Sequence, residues 1–240
     1  MTRFIVLSQQ RSGSHMLMNL LNSHPDIHCN SDSQTVDVKN NGKEWTYEVG
    51  FNSDAKVKGF LLKIKNDLYK QLVPSDNIKI IYLKRENFLH ILLSKKMAAL
   101  FGCYEKKSAG ISLDSARELR SATAPIAVEV GEAEAFFFRW TQKHKNVKKH
   151  MDNMGLEYIE VMYQDLCGNA GGTMKEIYRF LNVDNIGPSF VYGRGHEKLD
   201  VRNSCDAISN YYELKKYFIK DKILTGSRWF KFFEDKNDIS

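Results

Sequence analysis

Four consecutive core-forming residues, Phe4-Ile5-Val6-Leu7, run directly into a polar turn, Ser8-Gln9-Gln10-Arg11-Ser12-Gly13-Ser14, and then into an apolar stripe at helical spacing, Met16, Leu17, Leu20 and Leu21. A short, wholly apolar run reads as a strand buried on both faces, and the stripe reads as one face of a helix. His24-Pro25-Asp26 stops that helix, because the residue ahead of a proline avoids helical backbone angles. A strand with no polar face must be covered on both sides, which points to a parallel sheet between two layers of helices.

The rest of the chain repeats the alternation. A second strand is expected at Val57–Ile64, with lysines that put one end near solvent, and a third at Ile78–Leu83, β-branched and central in the sheet. The third strand runs into Lys84-Arg85-Glu86-Asn87 and a helix over Phe88–Phe101. Residues Tyr104–Val130, rich in small residues and holding Gly110 and Pro125, read as loop with a short helix. A long helix follows over Glu132–Asn153, ended by Gly155, then a strand over Leu156–Met162 and a helix over Thr173–Leu181. Shorter helices are expected around Tyr211–Phe218 and Trp229–Phe233. The 240 residues suffice for one α/β domain spanning 1–240, a central parallel sheet flanked by helices.

Composition narrows the classes. Hydrophobic residues at 42% and charged residues at 27% give the balance of a globular protein and exclude wholesale disorder. A formal charge of +6 suits an anionic ligand without saying which. Cys29, Cys103, Cys167 and Cys205 are far apart, and the seven histidines lack ligand spacing. Neither a disulfide framework nor a metal site is expected, and no metal cofactor. The apolar run at Phe4–Leu7 is too short for a signal segment, and no stretch approaches the roughly 20 apolar residues of a membrane span. The expected location is cytoplasmic.

In parallel sheets ligands bind at the carboxyl ends of strands, where the loops leave. Two such loops carry unusual polar residues, one after Leu7 and one after Leu83. In the first, the turn opening a helix at Gly13 offers unpaired backbone N–H groups to an anion, with a helix dipole worth about 0.3–1 kcal/mol. Gly13 allows close backbone approach, Ser12 and Ser14 add hydroxyls, and Arg11 adds a forked cation worth about 1.5–3 kcal/mol per charge-assisted bond. Ser12 or Ser14 acting only as a helix N-cap is the plainer alternative. The loop is not a Walker A motif, which needs a second glycine followed by lysine; this disfavours an ATP or GTP hydrolase.

Gln10-Arg11-Ser12-Gly13-Ser14, directly after the first strand, resembles the 5′-phosphosulfate loop of the sulfotransferases that use PAPS (3′-phosphoadenosine 5′-phosphosulfate). It is most similar to the bacterial branch that acts on carbohydrates and lipids. The resemblance implies the P-loop NTPase-like sulfotransferase fold, PAPS as sulfuryl donor, and donor contacts from Arg11, Ser12, Gly13, Ser14 and His15, the last standing where relatives often carry Thr. Arg11 would stabilise charge on the bridging oxygen as the sulfuryl group leaves. The stretch Ile80–Ser94 resembles the family's second element, implying that Arg85 and, nine positions downstream, Ser94 hold the 3′-phosphate, with Lys84 and Lys95 assisting. Tyr163-Gln164-Asp165-Leu166 resembles the family's Tyr-Glu-Asp-Leu ending, and Ile208–Leu214 resembles the C-terminal part of the nodulation-type branch. Lys198 and Arg202 lie where related enzymes close over the nucleotide.

Sulfuryl transfer to an alcohol needs a base, and the resemblance implies a carboxylate soon after the first helix. Asp32 is the expected base, with Asp37, Glu44 and Glu48 behind it. His24 and His28 read as structural or solvated. The lysines around Lys143-His144-Lys145 and Lys148-Lys149 read as a solvated helix face rather than a nucleic-acid surface, and Phe136-Phe137-Phe138 and Trp140 as core. Tyr211-Tyr212 and Trp229-Phe230 read as core or rim packing. The acceptor implied is a small molecule, glycan or glycolipid hydroxyl. Rival readings are an ATP-dependent small-molecule kinase on the same fold and a non-enzymatic module that binds anions or nucleic acid.

Overall fold

The computed structural model describes residues 2–31, 53–64, 67–72, 78–100, 124–186 and 204–220. They fall into two compact units, the first formed by residues 1–85 and 143–196, the second by 86–142 and 197–240.

The first unit is built on a five-stranded sheet: β1 (Thr2–Ser8), β2 (Ile27–Asn30), β3 (Val57–Lys63), β4 (Ile78–Lys84) and β5 (Tyr158–Met162), in the order β2-β3-β1-β4-β5. Every pairing is parallel. The expected strands are all present. β1 rather than β4 is the middle strand, and β4 lies beside it, between β1 and β5. β2 was not expected: it has four residues, and its polar positions His28 and Asn30 alternate with buried Ile27 and Cys29, the half-exposed pattern of an edge strand.

Alternation along β1 divides the core. Phe4 and Val6 face a layer made by α1 (Ser14–Leu21), α4 (Tyr163–Gly168) and α5 (Ala170–Leu181), meeting Leu17, Leu21, Leu166 and Tyr178. Ile5 and Leu7 face the opposite layer, where Tyr69 and Leu72 pack with Val147 and Met151 from the last turns of a long helix, α3 (Val130–Asn153). α5 begins three residues before its expected start because Asn169 caps it, its side chain accepting from the Gly172 N–H at 3.0 Å. Tyr163–Gly168, read from sequence only as a strand ending, forms the short helix α4.

The second unit is helical. α2 (Phe88–Leu100), the first turns of α3, α6 (Ser204–Ala207) and α7 (Tyr211–Lys220) enclose Phe88, Phe137, Trp140, Leu214 and Phe218. Asn210 pins the entry to α3: its side chain accepts from Val128 N–H at 3.0 Å and donates to Val128 C=O at 2.9 Å. Phe136, Phe137, Trp140 and Tyr211 are core as expected, whereas Phe138 (54% exposed) and Tyr212 (69%) point outward. The residues 101–123 and the expected helix around Trp229 lie outside the described residues.

At Gly59 in β3 a Cβ would collide with the Phe4 carbonyl and ring on the neighbouring strand, while at Gly131 it would meet open space. Gly59→Ala should therefore lower stability by about 1–3 kcal/mol in urea unfolding. Gly131→Ala should leave stability unchanged or raise it by up to about 1 kcal/mol. Equal effects at the two positions would show that the β1–β3 approach is not tight.

Candidate active site

Because β1, β3 and β4 are parallel neighbours, their carboxyl ends lie side by side. Ser8 at the end of β1 is opposite Lys63 on one side and Leu83 on the other. The polar loop after β1 therefore opens between Lys63 and the segment leading to Arg85. All of these residues belong to the first unit.

The loop is held from within. The Ser12 hydroxyl, fully buried, donates to the Gln9 carbonyl at 2.6 Å. Arg11 and Gly13 both take left-handed backbone angles, φ 66° and 87°. Gly13 itself is the N-cap of α1, and no side chain caps the N-terminus of that helix. The N-cap alternative for Ser12 and Ser14 is thereby set aside: Ser12 closes the loop, and Ser14 accepts a hydrogen bond from the Lys63 ammonium, which also reaches the Ser8 hydroxyl at 3.5 Å. The one Ser12 hydroxyl proton goes to the Gln9 carbonyl and ties the loop. The N–H groups of the first turn of α1, which lack acceptors within the helix, open the helix beside Arg11.

Arg85, directly after β4, turns back over this loop. Its Nη1 donates to the Arg11 carbonyl at 3.1 Å, and its guanidinium lies 4.7 Å from the centre of the Tyr163 ring. Burial lowers the Arg85 pKa, with Tyr163 and Cys167 opposing the shift. The Tyr163 ring occupies the space that any side chain at position 13 would need. Arg11, Gly13, Arg85 and Tyr163 thus form one contiguous group. Lys84 points elsewhere, to Glu160 at 3.0 Å, which also receives Lys148 at 2.9 Å. Burial alone would raise the Glu160 pKa, but the hydrogen bonds from Lys148 and Lys84 outweigh it and hold the carboxyl below its usual value.

His15 is exposed on the first turn of α1. Ser94 is half-buried on α2, in the second unit, where Lys95 lies 4.9 Å from the centre of the Phe136 ring. Asp32, Asp37, Glu44 and Glu48 fall outside the described residues, as do Lys198 and Arg202. His24 is structural: buried, it accepts from the Asp26 N–H at Nδ1 (3.1 Å) and donates from Nε2 to the Asp184 carbonyl (3.0 Å). His28 bonds Asn30 on β2 at 2.9 Å. Cys29 and Cys167 are free thiols, and burial pushes the Cys29 thiol well up. Among the described residues, no group of three or more His, Cys, Asp or Glu side chains could hold a metal ion, and no helix is long and apolar enough to cross a membrane.

Three residues of this region were given no role by the sequence reading. Lys63 closes an apolar strand of a parallel sheet, the end at which ligands bind, and was read only as a sign of exposure. Tyr163 follows β5 directly, at that same edge. His144 was grouped with the lysines of a solvated face, yet the helical phase Phe137, Trp140, His144, Val147, Met151 puts it on the buried stripe of α3. Lys145, Lys148 and Lys149 are indeed exposed.

No family model matches the chain. Nodulation protein H of Rhizobium tropici is 26% identical over 251 aligned positions, covering 96% of this chain and 92% of the relative. Among solved structures, a sulfotransferase from Alicyclobacillus acidocaldarius matches with a TM-score of 0.54 at 15% identity, covering 95% of this chain and 98% of that one. The sulfotransferase domain from the curacin biosynthetic pathway matches with a TM-score of 0.50 at 14% identity, covering 96% and 95%. The structural matches give the fold, and the sequence match runs along nearly the whole chain. The fold is thus the α/β fold seen in those sulfotransferases, and the likeness to Nodulation protein H extends along nearly the whole chain.

Proposed function

We propose that this chain is a sulfotransferase of the bacterial nodulation-type branch, that it takes PAPS as its donor and the hydroxyl of a carbohydrate or glycolipid as its acceptor, and that residues 1–240 act as one catalytic domain. The observation that carries the donor assignment is the Arg85–Arg11 contact: two arginine-bearing loops meet at the carboxyl ends of neighbouring strands, with Lys63 on the far side. A nucleotide with phosphates at both ends of its ribose needs two cationic subsites a few ångströms apart, and this arrangement fits that need. In this reading Arg11, His15 and the backbone N–H groups from Ser12 to Ser14 take the 5′-phosphosulfate, and Arg85 and Ser94 take the 3′-phosphate. Arg85 can do so while bonded to Arg11, because guanidinium carries five N–H donors.

The reaction is an in-line displacement. The acceptor oxygen forms a bond to sulfur, its proton passes to the Asp32 carboxylate, and the bond from sulfur to the 5′-phosphate oxygen breaks. The charge left on that oxygen is met by Arg11 and the helix N-terminus. The acceptor class rests on likeness to the nodulation-type branch, and the chemistry needs no metal.

Three measurements test this. Calorimetry should find micromolar binding of PAP, the desulfated donor, with ADP much weaker; the reverse preference would favour a kinase, and binding only to polyanions with steep salt dependence would favour a non-enzymatic module. Arg85→Ala should raise the KM for PAPS by at least about tenfold, the loss of one or more charge-assisted hydrogen bonds, with a circular dichroism spectrum like that of the parent. An unchanged KM removes Arg85 from the donor site. Asp32→Asn should lower kcat by about 10²-fold or more while PAP still binds, and undiminished turnover would place the base elsewhere.

A further inference from the structure

Gln9 is the first residue of the donor loop, and it is tied at both ends. Its backbone carbonyl accepts the Ser12 hydroxyl, and its side-chain Oε1 lies 3.1 Å from Nε2 of His144. The other ring nitrogen of His144, Nδ1, is hydrogen-bonded to the hydroxyl of Tyr82, a fully buried residue of β4 directly opposite Leu7. An amide oxygen can only accept, so Nε2 carries the proton, and the neutral ring then accepts the Tyr82 O–H at Nδ1. Burial and the nearby Lys84 ammonium push the His144 pKa down to about 3, against the opposing charge of Glu160, which keeps that protonation pattern at any ordinary pH. A chain of donors and acceptors thus runs Tyr82 to His144 to Gln9, and from the Gln9 backbone to Ser12, all within the first unit.

We propose that His144 is a positioning residue for the sulfuryl donor: by donating from Nε2 to Gln9 it locks the loop that carries Arg11 and Gly13 in its binding shape, using the sheet, through Tyr82, as its anchor. The inference rests on the donor reading above and goes beyond it, since His144 is never required to touch the nucleotide. Neutral imidazole suits the task because it accepts from the rigid partner and donates to the loop at once. Lysine would only donate, and a carboxylate would only accept.

The test starts with PAP binding to the unaltered protein, which must be observed; its absence would overturn the donor reading and with it this proposal. Given that binding, Gln9→Ala and His144→Ala should each raise the PAP Kd and the KM for PAPS by about tenfold, the cost of roughly one buried hydrogen bond. The acceptor KM should stay where it was. The two substitutions combined should cost no more than either alone, because both break the same link. His144→Gln, which returns an N–H donor near the place of Nε2, should recover most of the lost affinity. Should His144→Ala fail to fold, Gln9→Ala in the loop and His144→Gln still decide the matter. A Gln9→Ala protein that binds PAP as tightly as the parent overturns the proposal, as do losses that simply add or a His144→Gln protein as weak as one lacking the ring.

Discussion

Parallel registration of β1 between β3 and β4 is the constraint from which the active-site region follows. Side chains alternate faces along a strand, so a slip of one residue would carry Phe4 and Val6 to the wrong layer and Ile5 and Leu7 to the other. The register is therefore fixed by burial on both faces of the middle strand, each of those four side chains being completely inaccessible to solvent. Once fixed, it sets Ser8 beside Lys63 and Leu83, and the loop that follows has nowhere to go but between the ends of two strands that each deliver a cation. Gly59 allows the approach by leaving room for Phe4, so the tightness of the core and the placement of the loop are one matter.

Arg11, Lys63 and Arg85 come together at the carboxyl edge of the sheet. Their partners include neutral groups: serine hydroxyls for Lys63, a backbone carbonyl and an aromatic face for Arg85. Dipoles and ring quadrupoles soften the desolvation of a cation without cancelling its charge. Lys84 and Lys148 share the single carboxylate of Glu160.

Much of this was legible in the residues. The apolar runs located the principal strands, and the polar turn between Leu7 and Met16 announced the loop, because an abrupt change from unbroken apolar to polar composition at a glycine leaves few alternatives to a strand-to-helix turn. β2 was not legible: four residues with two polar positions carry too little periodicity against the pull of the neighbouring Pro25 turn. Neither was the inward turn of His144, because the lysines on either side dominate composition there and the helical phase is visible only when the register is carried from Phe137 through to Met151. The Tyr163–Gly13 contact joins residues 150 positions apart in sequence and depends on β5 lying beyond β4 in the sheet. No local pattern encodes that order. Asp32, the expected base, lies outside the described residues.

The left-handed backbone of Arg11 has its own implication. A side chain there costs about 1–2 kcal/mol relative to glycine, so the position would be easier to fold with no side chain at all. Arginine is kept nonetheless, and Arg85 grips its carbonyl. The molecule thus accepts a standing conformational penalty in its fold, and the bond from Arg85 helps to hold that strained peptide in place.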